Sequence, residues 1–228
     1  MRCGAICNRG IAEDNTTVYS HPRLHYAFNL RLGLAHMVSE FEKGLADFAQ
    51  GEFDKFHGFE ETDPPLAGRI KFYWTSLGKK FPGVGTAWSA VFVSACLKAA
   101  GATKNEFLFS EEHSQFVFWA IHNTETISGL FRGHPIEEIA PSVGDIIHLN
   151  RPNKKITYQF AASHKDYPSH SAIVVATGQD STGHFAMTIG GNEGAPGMVG
   201  RRRVILNDEG FIVQNPTRPY ISVIQNLK

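Results

Sequence analysis

Thr86-Ala87-Trp88-Ser89-Ala90-Val91-Phe92-Val93-Ser94-Ala95-Cys96-Leu97-Lys98-Ala99-Ala100-Gly101 is the stretch on which the reading of this chain turns. Ala, Val, Phe and Leu fill its interior, and Gly101 stands where a left-handed C-terminal cap is expected. The spacing therefore predicts a helix that opens near Ser89 and closes at the glycine. Ser89 then lies in the first turn. Unsatisfied backbone N–H groups and the positive end of the helix dipole favour negative charge there, on an attacking alkoxide or a tetrahedral oxyanion. On a helical wheel Ser89, Phe92, Val93, Cys96 and Ala100 share one face, which turns the serine toward the packed side. A serine that only caps a buried helix reads the same way over these residues alone.

On the N-terminal side, apolar residues recur at three- and four-residue steps over 24–56, through Ala27, Leu30, Leu34, Met37, Val38, Phe41, Leu45 and Phe48, and predict an amphipathic helix. Thr62-Asp63-Pro64-Pro65 breaks the chain before a second helix over 67–77, with Ile70, Tyr73, Trp74 and Leu77 on one stripe. On the C-terminal side, Ser110 is placed to cap a further helix over 111–121, whose first turn is acidic. From Asp145 onward the pattern changes to short β-rich runs, at 145–149, 169–176, 184–189, 203–206, 211–213 and 220–224. Helices first and strands second predict an α+β fold, the strands forming an antiparallel meander that closes toward a small barrel.

The chain has 228 residues, 42% of them hydrophobic and 19% charged, which suits a core domain over 67–228 with a helical extension over 1–66. Lys plus Arg and Asp plus Glu number 22 each, so the global charge points to neither nucleic acid nor an anionic membrane surface. Arg201-Arg202-Arg203 reads as a solvated edge or turn. Three cysteines are too few for a disulfide framework. Cys96 reads as a small core hydrophobe; Cys3 and Cys7 either pair, bind a metal with outside ligands, or sit in a disordered terminus. No apolar run has signal-peptide length at the start or membrane-spanning length anywhere. The expectation is soluble synthesis in the cytoplasm and, for any target beyond a membrane, a route other than the general secretory one.

A serine needs a base to attack a carbonyl, and histidine is the usual one near neutral pH. Of the eleven histidines, His170 opens the run His170-Ser171-Ala172-Ile173-Val174-Val175, where alternation places it on one face with Ala172 and Val174. The next strand ends Thr188-Ile189-Gly190-Gly191-Asn192. Alternation from Ala186 puts Asn192 on the side from which its amide would orient the His170 ring. His113, after Glu111-Glu112 at a helix start, is a further candidate to line a cleft, and Trp88 is a candidate wall beside the serine. Asp145 reads as turn chemistry. His148, His164 and His184 show no metal-ligand spacing, so no metal or cofactor is assigned.

Taken in order, Trp88-Ser89-Ala90-Val91-Phe92-Val93 at a helix start, Pro141-Ser142-Val143-Gly144-Asp145-Ile146-Ile147 turning into a strand, His170-Ser171-Ala172-Ile173-Val174-Val175 and Gly190-Gly191-Asn192 resemble the NlpC/P60 and CHAP branch of papain-like amidases. Most similar is an uncharacterised bacterial family of that branch with tryptophan-serine-alanine at the helix start. The resemblance covers about 70–224. It implies a papain-like fold with helices packed on an antiparallel sheet, and acyl transfer on a peptide amide of peptidoglycan. Carried over, Ser89 takes the place of the cysteine nucleophile, His170 that of the base and Asn192 that of its orienter. Because a hydroxyl must lose its proton as it attacks, the alternative is a binding module that kept the cleft without the chemistry. The implied partners are a peptidoglycan stem peptide or another amide, together with a delivery or immunity partner, the wall being reached through a specialised secretion system or a phage.

Overall fold

The structure is a computed structural model and describes residues 37–228. Cys3, Cys7 and the predicted helical segment 24–36 lie outside the described residues. Residues Val38–Lys228 form one compact unit, so the boundary expected at 66/67 falls inside it. Helix α1 (Glu40–Phe56) buries Leu45 and Ala49 in the same core as the later helices. Its start is set by a capping box: the Ser39 hydroxyl accepts from Glu42 N at 3.1 Å, and Ser39 N donates to the Glu42 carboxylate at 2.7 Å.

Helix α2 (Pro64–Ser76) begins at the prolines themselves. At the first positions of a helix the missing N–H costs nothing, so Pro64 and Pro65 start α2 rather than separate it from a later one. Helix α3 (Ser89–Ala99) is buried on every side from Ser89 through Leu97. It ends at Gly101, whose φ of 103° lets Gly101 N reach Lys98 O at 3.1 Å and Ala102 N reach Leu97 O at 2.9 Å. Helix α4 (His113–Glu125) begins two residues later than its sequence pattern suggests, with Glu112 as cap residue, and α5 (Tyr158–Ser163) is a short turn of helix.

Among the described residues six strands follow or interleave: β1 (Phe131–His134), β2 (Ile146–Asn150), β3 (Ser169–Asp180), β4 (Gly183–Glu193), β5 (Met198–Ile205) and β6 (Tyr220–Asn226). They form one sheet in the order β1-β6-β2-β3-β4-β5, antiparallel throughout. β1 and β5 are its edges, so the sheet is open and the expected closure toward a barrel does not occur. The run 211–213 contributes only the single bridge Leu206↔Ile212. Arg201-Arg202-Arg203 lies on the edge strand β5.

Alternation gives the sheet two apolar faces. Ile146, Ile173, Ile189 and Ile224 pack against the helices, Trp88 and Phe92 among them. Ile147, Val174, Ala186, Val204 and Val223 form a smaller cluster on the other face under Leu206 and Ile212. The mixed α+β architecture thus brings the N-termini of α3 and α4 to the start of β3 and the end of β4. Asp145 ties that frame together: its carboxylate accepts from Ser142 N and Asn226 N, each at 2.8 Å.

Candidate active site

Ser89 is the first residue of α3 and is 2% exposed. Its hydroxyl meets the Nε2 of His113, the first residue of α4, at 2.7 Å. Arg151, just beyond β2, donates from Nη2 to the same hydroxyl oxygen at 3.2 Å and from Nε to Ser169 O at 3.0 Å. Arg151 fills one lone pair of that oxygen, and the serine proton can go to Nε2 when His113 is the neutral tautomer protonated on Nδ1. Burial drives the His113 pKa well below its ordinary value, and the nearness of His170, His148 and the Arg151 guanidinium pushes the same way. The imidazole is therefore held in the form that accepts a proton.

His170 is brought beside this pair but does not bond the serine. Its Nε2 donates to Glu193 Oε1 at 2.6 Å, and the ring centroids of His113 and His170 are 5.3 Å apart. Among the described residues the buried Nδ1 atoms of both rings have no partner. A neutral His170 that donates from Nε2 keeps a lone pair on Nδ1. Burial lowers the His170 pKa, against the Glu193 carboxylate that raises it. Glu193 would itself be raised by burial, but His170 and Arg202 hold it down to about 2. Arg202 Nε donates to Glu193 Oε2 at 2.6 Å. A third imidazole, His148, bonds Ser171 Oγ at 2.8 Å and Tyr167 OH at 3.2 Å, and burial lowers it to about 3.

Asn192 is not the orienter of His170. The strand pairing shifts between Gly190 and Glu193, where three steps along β4 match two along β5, and Asn192 takes a φ of 56°. This bulge breaks the alternation counted from Ala186, so that Glu193 comes under His170 and the Asn192 amide goes instead to Glu61 Oε2 at 3.1 Å. The preceding glycines are required by close approach. A Cβ on Gly191 would lie 2.4 Å from the Trp88 ring, and one on Gly190 would lie 3.0 Å from Glu193 Oε1 and 3.1 Å from His170 Nε2.

Trp88 does not wall the cleft: it is fully buried, stacked near Tyr73, and its Nε1 donates to Glu61 Oε2 at 3.0 Å. Cys96 is also fully buried, and burial raises its thiol well above the ordinary range. The residues that alternation and motif order did not reveal are Arg151 and Glu193, together with the partnership of Ser89 and His113. Only the bulge would have betrayed Glu193, and bulges leave no short-range sequence mark here beyond the paired glycines.

Ser89, His113, Ser114, Arg151 and Ser169 open into a cleft of about 680 Å³. Among the described residues no group of three or more His, Cys, Asp or Glu is arranged to hold a metal ion, and no helix is long and apolar enough to cross a membrane. A buried hydroxyl at a helix N-terminus, bonded to a neutral imidazole and facing a guanidinium, is equipped for nucleophilic attack and for stabilising the negative charge that follows. No curated protein and no solved structure matches the chain. The model of the family "Uncharacterized protein conserved in bacteria (DUF2272)" matches residues 67–223, a span that runs from α2 into β6 and holds Ser89, His113, Arg151, His170 and Glu193, and the chain belongs to that family.

Proposed function

We propose that this protein is a serine-dependent amidase or peptidase of papain-like layout that cleaves a peptide amide in peptidoglycan by acyl transfer. The observation that carries the reading is the 2.7 Å contact of Ser89 Oγ with His113 Nε2 at the mouth of α3, inside a cleft. Ser89 attacks the carbonyl carbon as His113 Nε2 takes its proton. The carbonyl oxygen becomes the oxyanion, which the α3 N-terminus and Arg151 stabilise. His113 then returns the proton to the leaving amine, and water hydrolyses the acyl-enzyme with His113 as base. The His170–Glu193 pair stands behind His113, where its carboxylate offsets the imidazolium charge that forms during transfer. In this reading His113 takes the part that the sequence motifs alone assign to His170. Synthesis in the cytoplasm with delivery by a specialised secretion system or a phage brings such an enzyme to its wall target.

The test is to incubate the protein and its Ser89→Ala variant with purified peptidoglycan and weigh the released fragments by mass spectrometry. Fragments from the parent alone are expected. Equal release from both ends the serine mechanism, and retention on peptidoglycan without release by either assigns a binding module.

A further inference from the structure

One carboxylate in the cleft takes no part in that chemistry. Glu61 lies on the loop between α1 and α2, where its backbone N–H donates to Gly197 O at 2.9 Å. Its Oε2 is fixed by two neutral donors, Trp88 Nε1 at 3.0 Å and Asn192 Nδ2 at 3.1 Å. Gly197 leaves the space for it, since a Cβ there would come 2.9 Å from Oε2. Three other ordered carboxylates face cations instead: Glu52 faces Arg69, Glu193 faces Arg202, and Glu106 faces Lys228. Among the described residues Glu61 has no ion pair, and its Oε1 has no hydrogen bond. The charge is held in place with one oxygen left over, on the wall of the cleft that contains Ser89.

The surroundings favour a cation there. Glu111, Glu112 and Asp166 line the same cleft, Glu111 pairing outward with Lys79 at 3.6 Å and Glu112 accepting from Gln115; among the described residues that line it the one Lys or Arg is Arg151, already directed at Ser89 and at the Ser169 carbonyl. A second unsatisfied group belongs to the same wall: Ser169 lines the cleft at 6% exposure, and its buried hydroxyl has no partner among the described residues. Trp88 precedes Ser89 in the chain, so the group that steadies Glu61 is joined to the start of α3.

We infer that the cleft takes a ligand bearing a cationic amine, which Glu61 binds through Oε1; calling that ligand a substrate rests on the amidase reading. A carboxylate oriented before the ligand arrives forms a charge-assisted N⁺–H···O⁻ bond without further ordering of its own side chain. Glu61 lies outside the span 67–223 matched by the family, so this preference is set by the segment preceding α2.

The test uses two capped tripeptide amides, acetyl-Ala-Lys-Ala-amide and its Nε-acetyllysine twin, titrated calorimetrically into the Ser89→Ala protein. The lysine peptide is expected to bind about tenfold more tightly than the twin. In the Ser89→Ala/Glu61→Gln protein that preference is expected to fall to about twofold, because the amide keeps the shape and loses the charge. Equal affinities for the two peptides, binding of neither, or an unchanged preference in the Gln protein overturns the inference. The comparison of the two peptides on the protein with native Glu61 decides it even where the Gln substitution disturbs folding. Peptide preference without peptidoglycan cleavage sustains the cation site and ends the amidase reading; cleavage without preference does the reverse.

Discussion

Two buried polar networks in this protein differ in one respect that separates architecture from chemistry. Between α1 and α2, Glu52 is 2% exposed and both its oxygens are taken, by Arg69 Nε at 2.7 Å and Tyr73 OH at 2.5 Å on one and by Arg69 Nη2 at 2.5 Å on the other. Around Ser89 the burial is as deep, yet the Nδ1 atoms of His113 and His170 and the Ser169 hydroxyl have no partner. A fully satisfied network locks two helices together; a partly satisfied one beside a cleft leaves positions for a ligand's own groups to fill. Buried polarity alone therefore does not mark the site, and neither does a single unpaired atom such as Trp74 Nε1 or Ser222 Oγ; a group of unpaired atoms beside a cleft does.

The contrast breaks most visibly under truncation of the dyad. Ser89→Ala and His113→Ala are each expected to reduce fragment release from peptidoglycan by about 10³-fold or more. Their urea midpoints should stay close to that of the parent, and a variant that keeps full release would remove the dyad from the mechanism. Glu52→Ala is expected to do the opposite. It leaves Arg69 and the Tyr73 hydroxyl without their acceptor and costs about 3 kcal/mol in urea unfolding. Turnover per folded molecule should hold within about twofold. Glu193→Gln probes the step between the two networks, because it keeps a hydrogen-bond acceptor for His170 and removes the charge behind His113. A loss of release on the order of tenfold is expected, with a smaller loss of stability.

Acid sharpens the comparison further. His113, His148 and His170 all have pKa values lowered by burial, His148 to about 3, so at mildly acid pH the unfolded chain binds protons that the native protein does not. Stability is therefore kept above the ordinary histidine value and lost as pH falls below it, by up to about 1.4 kcal/mol per pH unit for each histidine. Glu193, held at about 2, adds a loss of the same sign at lower pH. Urea titrations at pH 7 and pH 5 should show the drop, and His148→Gln should flatten it. Release of fragments should retain its acid limb below the ordinary histidine pKa, because His113 stays neutral there. The smallest effect belongs to the surface. Arg203→Ala removes a partly exposed pair with Asp180 and should change stability by less than about 0.5 kcal/mol.

Much of the framework could be read locally. The α3 helix, its glycine stop, and the helix and strand runs at 67–77, 145–149, 169–176 and 220–224 all follow from periodicity and punctuation, because those patterns report which face is buried. The capping box at Ser39 is written in Ser39-Glu40-Phe41-Glu42 but is hidden inside a longer apolar periodicity, which extends the expected helix beyond its start. β1, short and alternating between helix-covered and half-buried positions, carries too few residues to announce itself. The site was legible in part: Ser89 by its position in the first turn, and His170 and His113 as candidates without a pairing. Arg151 follows a strand with no signal of its own, and Asn192 was misplaced because strict alternation holds only as long as the ladder has no bulge.

Residue order alone settles local matters: where helices start and stop, which segments alternate, and that a hydroxyl would sit where backbone N–H groups accumulate. Which histidine meets that hydroxyl, which carboxylate meets His170, and whether the sheet stays open are set in the folded molecule. The physical reason is that these choices depend on approaches between segments far apart in the chain. Two glycines let β4 press against Trp88 and Phe92, and one extra residue at Asn192 exchanges the two faces of the strand, so that a shift of a single position hands His170 a charged partner in place of a neutral one.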